Sequence, residues 1–217
     1  ALARALEQRH PALLPRVALS TLGTSMVSAT QTGERALGAL ELISLLDASQ
    51  ALSREIHLDR LLAQLMGLLL STSGAERGFL LLEQGGRLLV QAEGGIALHE
   101  PLVLQALPLE RAAEERGLAQ AVVHFAARSR ETVLLDDVSR SPRYAADPHV
   151  AARRVRSLLC IPLLRQAGVL GVLYLENNLL AGAFTPAQVR ILELLSTQAT
   201  IALENALLYK TLEQKVA

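Results

Sequence analysis

Tryptophan is absent from this 217-residue chain, aromatic residues make up 3% of it, and it has a single cysteine, Cys160. A chain so poor in aromatic platforms is ill suited to stacking bases or sugars. One cysteine excludes an internal disulfide framework and a cysteine-based zinc site. Charge of one sign is also missing: Lys plus Arg and Asp plus Glu are both 21, for a formal net charge of zero. There is then no whole-protein field to draw in nucleic acid or an anionic membrane, and neither is expected as a partner. The histidines at 10, 57, 99, 124 and 149 show no H-x-x-x-H pairing, so no metal site is expected. No apolar run approaches the roughly 18–20 residues that span a bilayer, so no membrane insertion is expected. The first residue is Ala and no signal-peptide pattern follows. The expectation is a cytoplasmic piece of a longer protein.

What the chain does have is aliphatic side chains, with 51% of its residues hydrophobic. Two apolar runs, 158–164 and 169–175, flank the polar turn Arg165-Gln166-Ala167-Gly168. Each is too short for an ordinary helix, so together they read as a β-hairpin buried on both faces at the centre of a sheet. Residues 1–33 end in the small, polar stretch STLGTSMVSATQTG and read as a linker following the end of an upstream helix. Helical periodicity starts near residue 34, and a second helix follows with Asp59 in its first turn and Leu58, Leu61, Leu62, Leu65, Leu69 and Leu70 as its apolar face. Strands are expected over 76–83 and 87–93 around Gln84-Gly85-Gly86, and over 100–109. A helix over 117–130 is expected to turn Leu118, Ala121, Val122 and Phe125 the same way, before a short strand over 131–135.

The loop 136–156 is far longer than the usual connection of about 4–6 residues, which marks it as functional or lid-like. Thr185-Pro186-Ala187-Gln188 combines an N-cap, a first-turn Pro and a capping-box Gln, and opens a helix with no later stop signal. Along that helix Leu192, Leu195, Ala199, Ala202, Ala206 and Tyr209 recur in steps of three and four, the spacing of a coiled-coil seam, and are the expected dimer contact. Leu194, Ile201 and Leu208 repeat every seven residues on an adjoining face. The predicted class is α+β, an antiparallel sheet with helices segregated to it.

That order, with the loop DDVSRSPRYAAD and the strands SLLCIPL and GVLYLENN, resembles a GAF domain. The resemblance covers about residues 42–209, so the domain is bounded here at 34–210, with 211–217 as the start of a coiled linker. It implies N- and C-terminal helices on one sheet face, and a crossing helix plus the long loop on the other. The phrases ALELISLLDASQALSREIHLDRLLAQLM, GAERGFLL, YLENN and GAFTPAQVRILELLSTQATIALENALLY are similar to one bacterial subfamily. Its members are large cytoplasmic signalling proteins with a serine/threonine kinase-like domain, an NTPase-like region, this domain and a histidine kinase. By that resemblance the fragment is a sensory module, not itself an enzyme. Its partners would be an output kinase domain in the same chain and a second copy bound through the terminal helices. The alternative is a ligand-free dimerisation and relay module.

Ligands in such domains, where known, sit between the sheet and the crossing helix and loop. Strand alternation with the resemblance puts Leu158, Cys160, Tyr174 and Glu176 on the pocket side, and Leu159, Ile161, Leu173 and Leu175 toward the terminal helices. Asp136, Asp137, Tyr144 and Asp147 of the loop are candidates for its entrance, though Asp at such positions also forms turns through its own backbone bonds. Arg153, Arg154 and Arg156 form a small basic cluster suited to an anion or to solvent. His124 on the crossing helix and His149 in the loop are the places from which a haem iron would be held, against the simpler reading of a hydrogen-bonded core histidine. No cofactor is predicted and the ligand is unknown. A bilin-carrying member would need a cysteine in the loop or crossing helix, a sulfoxide-reducing member several cysteines, and a cyclic-nucleotide member an Asn-Lys-x-Phe-Asp-Glu element; this chain has none of these.

Overall fold

The computed structural model describes residues 57–98 and 100–216, the side chain of Val216 excepted. The expected linker over 1–33, the helix beginning near 34, and His10 and His99 lie outside the described residues. The elements are α1 (Leu58–Ser73), β1 (Arg77–Gln84), β2 (Arg87–Gly95), β3 (Leu102–Pro108), α2 (Leu109–Glu115), α3 (Gln120–Ser129), β4 (Val133–Leu135), α4 (Pro148–Arg153), β5 (Ser157–Arg165), β6 (Gly168–Asn177) and α5 (Pro186–Val216). The six strands pair antiparallel throughout in the order β3-β2-β1-β6-β5-β4. The hairpin β5–β6 therefore lies inside the sheet, and both strands are buried along most of their length.

Alternation along each strand divides the side chains between two layers. Phe79, Leu81, Val90, Leu158, Cys160, Val172 and Tyr174 form one core with α3 residues Val122, Val123 and Ala126 and loop residues Val138, Tyr144, Val150 and Val155. Their strand neighbours Leu80, Leu82, Leu159, Ile161, Leu173 and Leu175 are also buried and lie on the opposite face. α1 comes close to the sheet there because Gly94 has no side chain. A Cβ at Gly94 would stand 2.5 Å from Leu70 Cδ1 and 2.8 Å from Met66 Cγ. The capping box at the start of α5 is formed: Gln188 Oε1 accepts from Thr185 N at 2.9 Å, and Gln188 N donates to Thr185 Oγ1 at 3.3 Å.

Three expectations need correction. The third strand stops at Pro108, and the next seven residues, LERAAEE, form α2, a short helix whose mostly polar sequence has no long apolar period. The crossing helix buries Val122, Val123 and Ala126 and leaves Ala121 exposed, so its inner stripe is rotated from the expected one. The third is the dimer seam. Leu192, Leu195, Ala199, Ala202 and Ala206 are no more than 5% exposed within the single chain. They pack on α1 and the sheet, because small alanine side chains let α5 sit close to its own domain. Tyr209, the last seam residue, is 52% exposed, and the face left open carries Leu194, Ile201, Leu208 and Leu212.

Candidate functional site

The pocket-side row of the sheet ends in a cluster of buried polar groups. Cross-strand pairing brings Arg77 of β1 opposite Glu176 of β6, and Phe79 opposite both Tyr174 and Glu93. Directly paired residues project from the same face, so Arg77, Glu93, Tyr174 and Glu176 converge. Glu176 and Tyr174 are fully buried and Glu93 is 6% exposed. Glu176 Oε2 accepts from Tyr174 Oη at 2.8 Å and lies 2.7 Å from His149 Nε2. An ionised carboxylate can only accept, so this bond requires a proton on His149 Nε2. Tyr174 Oη in turn accepts from the backbone N–H of Ala119 at 3.2 Å. One hydrogen-bonded chain thus joins the residue before α3, the end of β6 and α4.

Arg77 secures the other side. Its Nε and Nη2 bond Glu93 Oε1 at 3.1 and 2.6 Å, and Nη2 and Nη1 bond the carbonyls of Arg116 and Gly117 at 2.7 and 3.0 Å. Its guanidinium carbon lies 4.5 Å from the Phe79 ring centre. Arg116 adds a contact to Glu93 Oε2 at 3.3 Å. The turn after α2 is therefore clamped to the sheet. Gly117 has φ +74°, and a Cβ there would lie 2.7 Å from His149 Nδ1, so glycine is what lets this turn press on the imidazole. One group is left over. Among the described residues Glu176 Oε1 has no hydrogen-bond partner, and Arg77 Nη1 stands 3.8 Å from it.

Two clefts flank the cluster. One, of about 750 Å³, is lined by Glu110, Glu114, Arg116, Gly117, Asp147, His149 and Arg153 among others. The other, about 200 Å³, is lined by Arg77, Glu93, residues 94–98, Arg153 and Asn178. A third groove of about 800 Å³ runs between α1, β3 and the end of α5, away from these charges.

The sequence-derived candidates divide accordingly. Tyr174 and Glu176 are at the centre of the cluster, and Asp147 lines the larger cleft while capping α4 through His149 N at 2.9 Å. Leu158 and Cys160 share the pocket-side layer but are wholly buried in a filled core, as is Tyr144 at 5% exposure. Burial pushes the Cys160 thiol far up from its ordinary range, so it is an inert core side chain. Burial first, and the Glu176 carboxylate second, hold the Tyr174 phenol well above 10.0. Asp136 is exposed, and its carbonyl accepts from Ser157 Oγ. Asp137 caps the turn at residues 138–140 through Ser139 N at 3.1 Å, and the hydrogen bond it accepts from the Ser139 hydroxyl holds its pKa below the usual carboxylate range. His124 bonds Gln120 on its own helix and lies outside the clefts. Of the basic cluster, Arg153 lines both clefts, whereas Arg154 and Arg156 are exposed.

Arg77, Glu93, Arg116 and the role of His149 were not found from sequence. Their partners are up to 40 residues apart along the chain for Arg77, and 27 apart for His149 and Glu176. The strand parity that selected Tyr174 and Glu176 would have selected Arg77 and Glu93 had the β1–β2 and β1–β6 registers been known.

The GAF domain model matches residues 57–203. A hybrid signal transduction histidine kinase of Dictyostelium discoideum is 30% identical over 94 residues, 43% of this chain, and the match spans 3% of that protein. Among solved structures, a GAF sensor protein from Burkholderia vietnamiensis shares 20% identity over 78% of this chain and 97% of its own, with a TM-score of 0.57. The free methionine-R-sulfoxide reductase of Neisseria meningitidis, solved with its substrate, shares 20% identity over 75% of this chain and 87% of its own, with a TM-score of 0.54. At such identities the two structures speak for the fold alone. The chain belongs to the GAF domain family, a family of sensory and regulatory modules found in signalling proteins.

Proposed function

We infer that this domain is the cytoplasmic sensory module of a multidomain signalling kinase, binding a small molecule at the cleft beside Glu176 and passing its state to α5. The observation that carries this reading is the cluster of buried Glu93, Tyr174, Glu176 and His149 with half-buried Arg77, set against an open cleft on the sheet face opposite α5. Burying two carboxylates, Glu93 and Glu176, beside an imidazole and a half-buried guanidinium, with one carboxylate oxygen unbonded among the described residues, is costly, and a core built only for stability would do better with aliphatic groups. Such a cost is characteristic of binding sites. A ligand that prefers one arrangement of α4 over another shifts the balance between two states of the sheet and its helices. No catalytic role is assigned to these residues. The domain spans 34–210 in this reading, and the residues beyond lead toward an output kinase domain of the same chain.

A metabolite panel screened by thermal shift and ¹H–¹⁵N spectra of the whole chain tests the reading. It expects at least one compound to bind below millimolar concentration and to move resonances of α4 and α5 together. A panel with no such compound would count against it.

A second reading, dimerisation through α5, is favoured by the exposed face of that helix. Ile191, Leu194, Gln198, Ile201, Asn205, Leu208 and Leu212 recur at alternating spacings of three and four. Leu194, Ile201, Leu208 and Leu212 are 47–63% exposed. Asn at such a position sets the register of a parallel pair. This is not the face expected from sequence, and it leaves the Ala-rich face on the domain. The Leu208→Glu variant should turn a dimer into a folded monomer by light scattering; an unaltered dimer would exclude this face.

A further inference from the structure

Glu176 is the one fully buried carboxylate in the cluster, and the group that covers it from the cleft side is His149. His149 does not belong to the sheet. It sits in the first turn of α4, the six-residue helix inside the long crossing loop. The side chains of α4 that face away from the core, Ala151, Ala152 and Arg153, are exposed. α4 ends at Arg154, in the left-handed region at φ 55°. Within the helix itself, Val150 in the core and the imidazole–carboxylate bond hold it to the domain, while its flanks are anchored by Tyr144 and Val155 in the same core and by Arg156 N donating to Asn177 O at 3.0 Å. The two clefts meet at this segment, since Arg153 lines both.

We propose that the His149–Glu176 bond is a latch, and that the site takes a small cation with at least two N–H donors, an ammonium or guanidinium group, which displaces the imidazole and pairs with both oxygens of Glu176. This rests on the sensory reading above and names the class of its ligand. With His149 withdrawn, Glu176 keeps, among the described residues, the Tyr174 hydroxyl on Oε2, no hydrogen bond on Oε1, and Arg77 at 3.8 Å. Four of the five N–H donors of Arg77 are directed to Glu93 and to the carbonyls of Arg116 and Gly117, and these bonds hold its Nη1 at 3.8 Å from Glu176 Oε1, beyond hydrogen-bond length. A buried carboxylate in that state demands a donor, and a forked or multivalent cation supplies two. The cleft mouth agrees in sign. Arg111 is paired with Glu115 and Arg116 with Glu93, which leaves Glu110, Glu114 and Asp147 facing Arg153. An anionic ligand would meet these carboxylates on the way in and Glu176 at the end.

The probes are methylguanidinium and methylammonium, with acetate as the anionic control, titrated into the whole chain by calorimetry and ¹H–¹⁵N spectra. His149→Ala should bind methylguanidinium about ten-fold or more tightly than the native chain, since the probe no longer competes with a charge-assisted bond. Glu176→Gln should lose that binding, alone or combined with His149→Ala. Should His149→Ala not fold, the native chain carries the test: saturating methylguanidinium should speed amide exchange over 148–153. Equal affinity in the native and His149→Ala chains, tighter binding of acetate, or retention in Glu176→Gln would overturn the proposal, as would unchanged exchange over 148–153. The outcome separates from that of the sensory reading. A metabolite that moves α5 without touching Glu176 would sink the latch alone. A probe that opens α4 but leaves α5 unmoved would sink the relay alone.

Discussion

The two faces of this sheet are made from alternate residues of the same strands, and they have been put to opposite uses. Under α1 and α5, Leu173 and Leu175 of β6 join Leu159 and Ile161 of β5, and the helices answer with leucine, methionine and alanine. Under α3 and the crossing loop, Tyr174 and Glu176 of the same β6 end in hydroxyl and carboxylate, and are met by His149 and Arg77. A layer that is aliphatic but for a few buried hydroxyls, Ser73, Ser196 and Thr200, holds its partners mainly by area and moves with them as a unit. A buried polar layer is specified bond by bond, so a molecule that offers better bonds can rearrange it. In the proposed reading, that contrast lets one antiparallel sheet separate what is sensed from what is relayed, with a single strand contributing to both.

The sharpest way to break that contrast is to place a charge in the dry layer. Ala202→Glu should cost about 4 kcal/mol or more, from an unpaired buried charge in a space sized for a methyl group. Urea unfolding would show it, and a well-folded Ala202→Glu chain would mean that α5 does not pack as described. Next in size, Glu176→Ala should cost about 3 kcal/mol, because Tyr174 and His149 both lose their acceptor inside the protein. A loss below about 0.5 kcal/mol, the scale of a surface change, would say that the cluster is only an exposed ion pair.

How much of this could be read beforehand differs between the two layers. Tyr174 and Glu176 were legible because a strand has a strict period of two, so a polar residue in an apolar run declares its face. α5 showed both of its stripes plainly. Spacing does not decide which one meets the domain and which stands open, because a line of alanines suits a tight helix pair and a tight helix-on-domain contact equally. Residues 109–115 give no helical signal because the segment is short and mostly polar. His149 was visible only as a histidine. Its meaning depends on a partner 27 positions away, and such pairing is set by the fold.

Smaller effects refine the comparison. Tyr174→Phe should cost about 2 kcal/mol near neutral pH, through the loss of two hydrogen bonds, one donated to the Glu176 carboxylate and one accepted from Ala119 N–H. It should also change the alkaline limb. Burial and Glu176 hold the native phenol protonated above 10.0, while the unfolded chain ionises there. The native state then binds more protons, and stability falls as pH rises past about 10. Removing the hydroxyl should flatten that fall, leaving the part from Cys160, whose ordinary value is 9.0 and whose burial acts in the same direction. Chemical unfolding at a series of alkaline pH values reads both. Leu208→Glu, on the open stripe of α5, should change domain stability by no more than about 0.5 kcal/mol, which makes it the counterpart of Ala202→Glu on the same helix.

The central claim is that a disturbance of the polar layer reaches the helix on the far side of the sheet. Amide hydrogen exchange on Glu176→Gln, compared residue by residue with the native chain, tests it most directly. The account predicts faster exchange over 148–153 together with a measurable change along residues 192–206 of α5, across the sheet from the substitution. Exchange that rises around α4 and Arg77 while 192–206 stays as in the native chain would contradict it, and would leave two faces that share a sheet without sharing a signal.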